Sequence, residues 1–372
     1  METFYLKYGG TKLYFGVNAI KNLEREISGI EHATIVTGKQ SARRSGALDD
    51  IKNILKEKNI EYDIFDRIKP NPTVEMVDEL AEYIWKKSSD CMVAVGGGSI
   101  IDTAKVSSVI ALSGGSARDY LKGKTAKRSL PLYAVNLTHG TGSEIDRFAV
   151  LTDGIHKIGI SSRYPDVSID DPRYTLTLPE NQTIFTSIDA FFHAYEAVTA
   201  RTSNKFVETL SIESAKLIGE SLPKEQTIEE KEKLLYASMI AGISLDMSPA
   251  HIVHAIEHAL SGLNPELPHG CGLAIVGARS IYWIHRHSEN SGKILQALLS
   301  KKIDSPEDAE KSFREFLRSV GFEETLDDYG FSRDDFRDVE KILFEDLKYF
   351  LKRVDFRFTP EMLHDILEKS LY

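Results

Sequence analysis

Two pairs of side chains at helical spacing carry the first chemical signal. Asp189 and His193 stand four apart in SIDAFFHAYEAVTA, and His254 and His258 repeat the interval in SPAHIVHAIEHAL. Four residues is about one helical turn, so each pair leaves a single helix face. His269 follows in a Pro-His-Gly turn, from which it can point back. One carboxylate with three imidazoles suits a divalent transition metal. The plainer alternative is that the pairs decorate a buried or solvated face. Against it stand the neighbours of Asp189. Ile188, Ala190, Phe191, Phe192 and Ala194 are apolar, and a carboxylate facing such a region needs partners.

A second signal lies in VAVGGGSIIDTAK, where Gly96, Gly97, Gly98 and Ser99 join an apolar strand to a helix. Glycines allow close approach of a phosphate, and a helix start offers free amides and a positive dipole end. The spacing differs from Gly-x-Gly-x-x-Gly, so an ordinary tight turn stays open. Asp102, one turn in, reads as a cap or a cofactor contact. Asn136 to Glu144 form another polar loop after a strand at 132–135, holding Thr138, Thr141 and Ser143. The strand ends of an open α/β sheet are where ligands bind. His139 reads as a satisfied loop histidine.

The elements that must position these groups divide the chain. A length of 372 residues favours two domains. Apolar strand-like runs at 33–37, 61–65, 91–95 and 132–135 alternate with helical patterns such as VEMVDELAEYIWKK. That alternation predicts a parallel sheet with helices on both faces. Past Asp171-Pro172 helical periods dominate. The expected domains are 1–172, α/β and dinucleotide-binding, and 173–372, all-α. Candidate helices cover 181–201, 203–220, 228–244, 247–260, 271–286, 289–299, 305–319, 333–350 and 359–370.

Composition narrows the function. The net charge of −10 argues against nucleic acid as a partner. No apolar run is long enough to span a bilayer, and METFYLKYGG reads as a strand start rather than a signal peptide. Two cysteines, Cys91 and Cys271, exclude a disulfide framework and a cysteine-based zinc site. A cytoplasmic protein with no membrane partner is expected.

The segments GGGSIIDTAK, LTHGTGSEIDRFAVLTD, DPRYTLTLP, SIDAFFHAYEA and HAIEH…PHG, taken together and in order, resemble the iron-containing (group III) alcohol dehydrogenase family. The resemblance covers most of residues 30–285. It implies an α/β dinucleotide-binding domain, a helical domain and an active site between them. It implies one divalent metal, Fe²⁺ or Zn²⁺, on Asp189, His193, His254 and His269, with His258 as a proton relay. Gly97, Gly98, Ser99 and Asp102 would bind the pyrophosphate and ribose region. Thr138, Thr141 and Ser143 would line the nicotinamide side, with Lys157 near its ribose.

The resemblance also bears on the cofactor. Members that prefer NAD often carry an acid after the strand at 33–37. This chain has Gly38, then Lys39, Ser41, Arg43 and Arg44. That set favours NADP(H) over NAD(H), with Gly38 and Ser41 at the adenosine ribose; Arg43 and Arg44 as plain surface charges is the alternative. The expected reaction is hydride transfer between NADP(H) and a small primary alcohol or aldehyde. Runners-up are a glycerol dehydrogenase-like enzyme using NAD and zinc, a dehydroquinate synthase-like lyase, and a non-catalytic sensor. The strand from Thr3 to Leu6 is expected to pair with a second copy in a homodimer.

Overall fold

The computed structural model describes residues 1–372. Nine strands form the first half: β1 (Phe4–Tyr8), β2 (Thr11–Phe15), β3 (His32–Thr37), β4 (Glu61–Phe65), β5 (Cys91–Gly96), β6 (Leu132–Asn136), β7 (Phe148–Asp153), β8 (His156–Ser161) and β9 (Val167–Asp170). Seven of them build one sheet in the order β1-β2-β9-β6-β5-β3-β4. From β2 to β4 every neighbour is parallel, and only β1 runs antiparallel to β2. The sheet is therefore parallel with one antiparallel edge, because the Gly9-Gly10 hairpin leaves β1 no other direction. β5, β6 and β9 are buried at every position. Helices cover both faces, which is why β5 and β6 read as apolar runs, while β9 buries Ser168 and Asp170 as well.

Strand order reverses beside β3, which lies between β4 and β5. The carboxyl ends of β3 and β5 therefore flank a switch point, where open α/β sheets leave a crevice. Gly38 follows β3. Helix α1 (Gly98–Ser113) follows β5.

β7 and β8 pair as a separate antiparallel hairpin, turning at Gly154 with φ 64°. The periodicity of the sequence does not reveal it. Its strands mix polar with apolar residues and lean on helices rather than on the main sheet.

The second half is helical. The elements that matter most are α2 (Glu180–Thr199), α3 (Ile228–Met247), α4 (Ile252–Leu263) and α5 (His269–His285). Phe191, Phe192 and Phe313 meet with ring centroids 5.2 to 5.6 Å apart at the centre of this half. Each such ring contributes about 1.5–3 kcal/mol by leaving water. One expected helix is broken. Residues 333–350 contain a 3₁₀ turn, an α-helix at Phe336–Lys341, a π turn at Ile342–Asp346 and a last turn at Lys348–Leu351. No single helix is long and apolar enough to cross a membrane.

The two halves touch at close quarters. Gly142, with φ 65°, passes α3 where Gly242 lies, and a Cβ on Gly142 would stand 2.5 Å from the Gly242 Cα. Nearby, buried Asp246 of α3 accepts hydrogen bonds from Tyr8 (2.9 Å), Tyr164 (2.6 Å) and Arg147 (2.8 Å). Asp246→Ala leaves these donors facing a void. The variant is expected to lose about 2 kcal/mol of stability, Arg147 being partly solvated; urea unfolding midpoints measure it.

Candidate active site

Helix α2 sets the centre. Asp189, His193 and Glu196 fall on one face at intervals of four and three, and all three are buried. Helix α4 brings His254, Glu257 and His258. Helix α5 begins with His269, after Pro268. His269 therefore sits on the first turn of a helix, where the sequence suggests a loop. A proline just before a helix costs no intrahelical hydrogen bond, so the helix starts at once.

The Nε2 atoms of His193, His269 and His254 lie 3.4, 3.5 and 3.6 Å from Asp189 Oδ1. Asp189 Oδ1 and His254 Nε2 are buried without a hydrogen-bond partner. Donors about 2.1 Å from a common centre at tetrahedral angles stand about 3.4 Å apart. The four groups therefore fit a divalent metal in spacing and in chemistry.

Each imidazole is held by its other nitrogen. His193 Nδ1 is 3.2 Å from the Gly140 carbonyl, in the loop after β6. His254 Nδ1 bonds Glu196, and His269 Nδ1 bonds Glu257. Such partners set the tautomer and turn Nε2 inward. Glu196 also accepts from the amides of His251 (3.1 Å), Val253 (2.7 Å) and His254 (3.3 Å). One carboxylate thus caps α4 and aims a donor. Lys157 of β8 reaches Glu257 (3.3 Å), Ser261 (3.0 Å) and His269 Nδ1 (3.3 Å).

Charges follow from these contacts. Burial alone would raise the Asp189 carboxyl, yet the surrounding imidazoles hold it well below its usual range. Burial pulls His193 down to about 4. Burial also opposes charge on His254, but Glu196 and Asp189 lift it to about 9. Ligation of a metal by His254 therefore releases a proton. Burial and the nearby Lys157 push His258 well below its ordinary value, so its ring is neutral. His258 Nδ1 is buried without a partner.

Glu196 and Glu257 are the groups that spacing alone did not single out. The signal was present, since each stands three residues past a histidine on the same helix, His193 and His254. His251 also proves structural. It caps α4 through Nδ1 and meets Thr199 at 3.0 Å through Nε2. Cys271 is buried against Tyr329, and burial pushes its thiol up to about 12.

A cleft of about 1040 Å³ separates the halves. Gly98, Ser99, Asp102, Thr141, Ser143 and Lys157 line one side, and His193, His254, His258 and His269 the other. The glycine loop is tight for a reason besides ligand approach. A Cβ on Gly98 would stand 2.6 Å from the Thr141 side chain, and one on Gly97 2.8 Å from Thr138. Thr138 packs there and near Asn136 instead of lining the cleft. Asp102 bonds the Ser143 hydroxyl and accepts the Val150 amide at 2.9 Å, so it ties the two loops to β7. Lys157 lines the cleft, but its ammonium is committed to Glu257. Gly38 and Ser41 lie outside the lining, at the far end of the switch point. Arg43 there faces Asp66 at 3.6 Å.

This architecture, a parallel dinucleotide-type sheet against a helical half with a His₃Asp cluster in the cleft, defines a metal-dependent dehydrogenase scaffold. Residues 10–172 match the family described as iron-containing alcohol dehydrogenase, and residues 183–369 match the C-terminal part of the Fe-containing alcohol dehydrogenase family. The chain is 35% identical over 341 residues to a long-chain primary alcohol dehydrogenase of Thermoanaerobacter ethanolicus, covering 87% of this chain and 86% of that one. Among solved structures it is similar to the archaeal halo-thermophilic Red Sea brine pool alcohol dehydrogenase ADH/D1, with TM-score 0.89, 27% identity and coverage of 100% and 99%. It is also similar to an NADH-dependent butanol dehydrogenase A of Thermotoga maritima, with TM-score 0.86, 27% identity and the same coverage. The chain belongs to the iron-containing alcohol dehydrogenase family. It is an oxidoreductase of that family, which implies a divalent metal and a nicotinamide cofactor.

Glu196→Gln and Glu257→Gln keep the shape of each side chain but remove its charge. Each is expected to weaken Fe²⁺ or Zn²⁺ binding about 10- to 100-fold, read by competition with a chromophoric chelator. Glu196→Gln is also expected to lower the unfolding temperature, because Glu196 caps α4 as well.

Proposed function

We propose that the chain is a metal-dependent alcohol dehydrogenase and aldehyde reductase that passes hydride between NADP(H) and a small primary alcohol or aldehyde. The observation that carries this is the convergence of the three imidazole Nε2 atoms of His193, His254 and His269 on the Asp189 carboxylate, with all three rings lining the same cleft as the glycine loop. Asp189, His193, His254 and His269 would hold Fe²⁺, or Zn²⁺ in its place. When bound, the metal supplies Lewis-acid polarisation of a substrate oxygen, and the nicotinamide supplies or accepts the hydride.

The chain's own groups do the rest. The amides of Gly98 and Ser99 open α1 and face phosphate. Thr141 and Ser143, fixed by the glycine row and Asp102, bound the nicotinamide side. Lys157 keeps Glu257 charged, and so keeps the His269 ring turned inward. His258 is neutral and faces the cleft with an unpartnered nitrogen, which suits it to take or return the hydroxyl proton.

The preference for NADP(H) rests on Gly38 and on the cations Lys39, Arg43 and Arg44 around it. Arg43 is half exposed and only loosely paired with Asp66, so it is free to turn toward a 2′-phosphate.

The test is nicotinamide absorbance at 340 nm with butanal, comparing NADPH with NADH on protein stripped by chelator and reloaded with Fe²⁺ or Zn²⁺. Metal-dependent oxidation of NADPH is expected, and stripped protein should be inactive. Oxidation of neither cofactor with any metal would overturn the reading. Gly38→Asp is expected to move the NADPH-to-NADH ratio of kcat/KM toward NADH by at least about tenfold. An unchanged ratio would place the selectivity elsewhere.

A further inference from the structure

The far wall of the cleft carries a cation that no carboxylate pairs. Arg353 follows the last turn of the broken helix and lines the cleft beside Tyr349 and Phe350. Its Nη1 donates to the Ala250 carbonyl at 2.5 Å, four residues before His254. Its guanidinium lies 4.5 Å from the Phe350 ring centroid, and that ring stands edge-on to His258 at 5.5 Å. Burial disfavours its charge. The acid whose field reaches it, Glu196, is already committed to His251 and His254.

Tyr349 packs beside it, with a buried hydroxyl that meets the Gly159 backbone, and the guanidinium lies 5.2 Å from the Tyr349 ring centroid. Phe350 lies between this guanidinium and His258, and Phe148, Leu245 and Pro249 add apolar surface to the same lining. The cleft thus joins imidazoles, a few apolar side chains and one guanidinium that no carboxylate pairs. A partly buried guanidinium with N–H groups that no carboxylate takes is a receptor for a carboxylate.

We propose that the preferred substrate is a short ω-hydroxy acid or the matching aldehyde acid, with Arg353 holding its carboxylate. This rests on the reading of the site as an alcohol dehydrogenase and narrows it. In the oxidising direction the terminal CH₂–OH becomes CHO. Hydride passes to the oxidised nicotinamide, the hydroxyl proton leaves through His258 to solvent, and the carboxylate is unchanged. An alcohol bearing a quaternary ammonium would be repelled.

The experiment compares 4-oxobutanoate with butanal on metal-loaded enzyme. The wild type is expected to favour the acid about 30-fold in kcat/KM. Arg353→Met should bring that ratio near one, chiefly through KM, and Arg353→Lys should keep part of it. A merely structural role lowers both substrates together and leaves the ratio, which would overturn the proposal. So would a wild type that prefers butanal, or a variant whose defect is a raised KM for NADPH with both substrates. Calorimetric titration with 4-hydroxybutanoate and with 1-butanol reads the same selectivity without turnover. If the acid binds in an Arg353-dependent way while no alcohol is oxidised, the anion site stands and the redox reading fails. If butanal turns over and the acid shows no advantage, the reverse holds.

Discussion

A carboxylate buried among imidazoles needs a cation, and the helical half is arranged around that need. Asp189, Glu196 and Glu257 are buried together with one ammonium, that of Lys157. Even with the Arg353 guanidinium near Glu196 counted, the carboxylates outnumber the cations. Burial makes such an imbalance expensive. The four donors answer it by converging, and the outer acids answer it by bonding the backs of the His254 and His269 rings.

The same contacts do structural work. Glu196 starts α4 and aims His254, so helix initiation and ligand geometry are one interaction. The glycines after β5 leave room for Thr138 and Thr141 as well as for a ligand, so the two loops pack as a unit. Asp102 and Ser143 clamp that unit onto β7. The nicotinamide side and the metal side are therefore each braced from behind, as a site that must hold two reactants at fixed separation requires.

How much of this the sequence disclosed depends on periodicity. Asp189, His193 and His254 were legible because helices repeat every 3.6 residues and their neighbours are apolar. The buried strands β3, β5 and β6 were legible as apolar runs between helices. Strand β9, four residues with Ser168 and Asp170 among them, and the mixed hairpin of β7 and β8 were not, because their burial comes from tertiary packing. The partners of the rings were half visible. Glu196 and Glu257 sit at helical spacing but resemble solvated acids until the fold buries them. Lys157 joins Glu257 across 100 residues, which no local pattern reports. His269 was read in a turn because a proline precedes it, yet that proline opens a helix. The break at 342–346 leaves no mark in the hydrophobic period.

All four donors belong to helices of the second half, but two of the braces cross the cleft. The Gly140 carbonyl behind His193 and the Lys157 ammonium behind Glu257 come from the sheet side. Any hinge motion that widens the cleft to release a dinucleotide withdraws both braces at once. The sheet half is thus a party to the orientation of the rings, and the donor cluster is complete only while the two halves stay together.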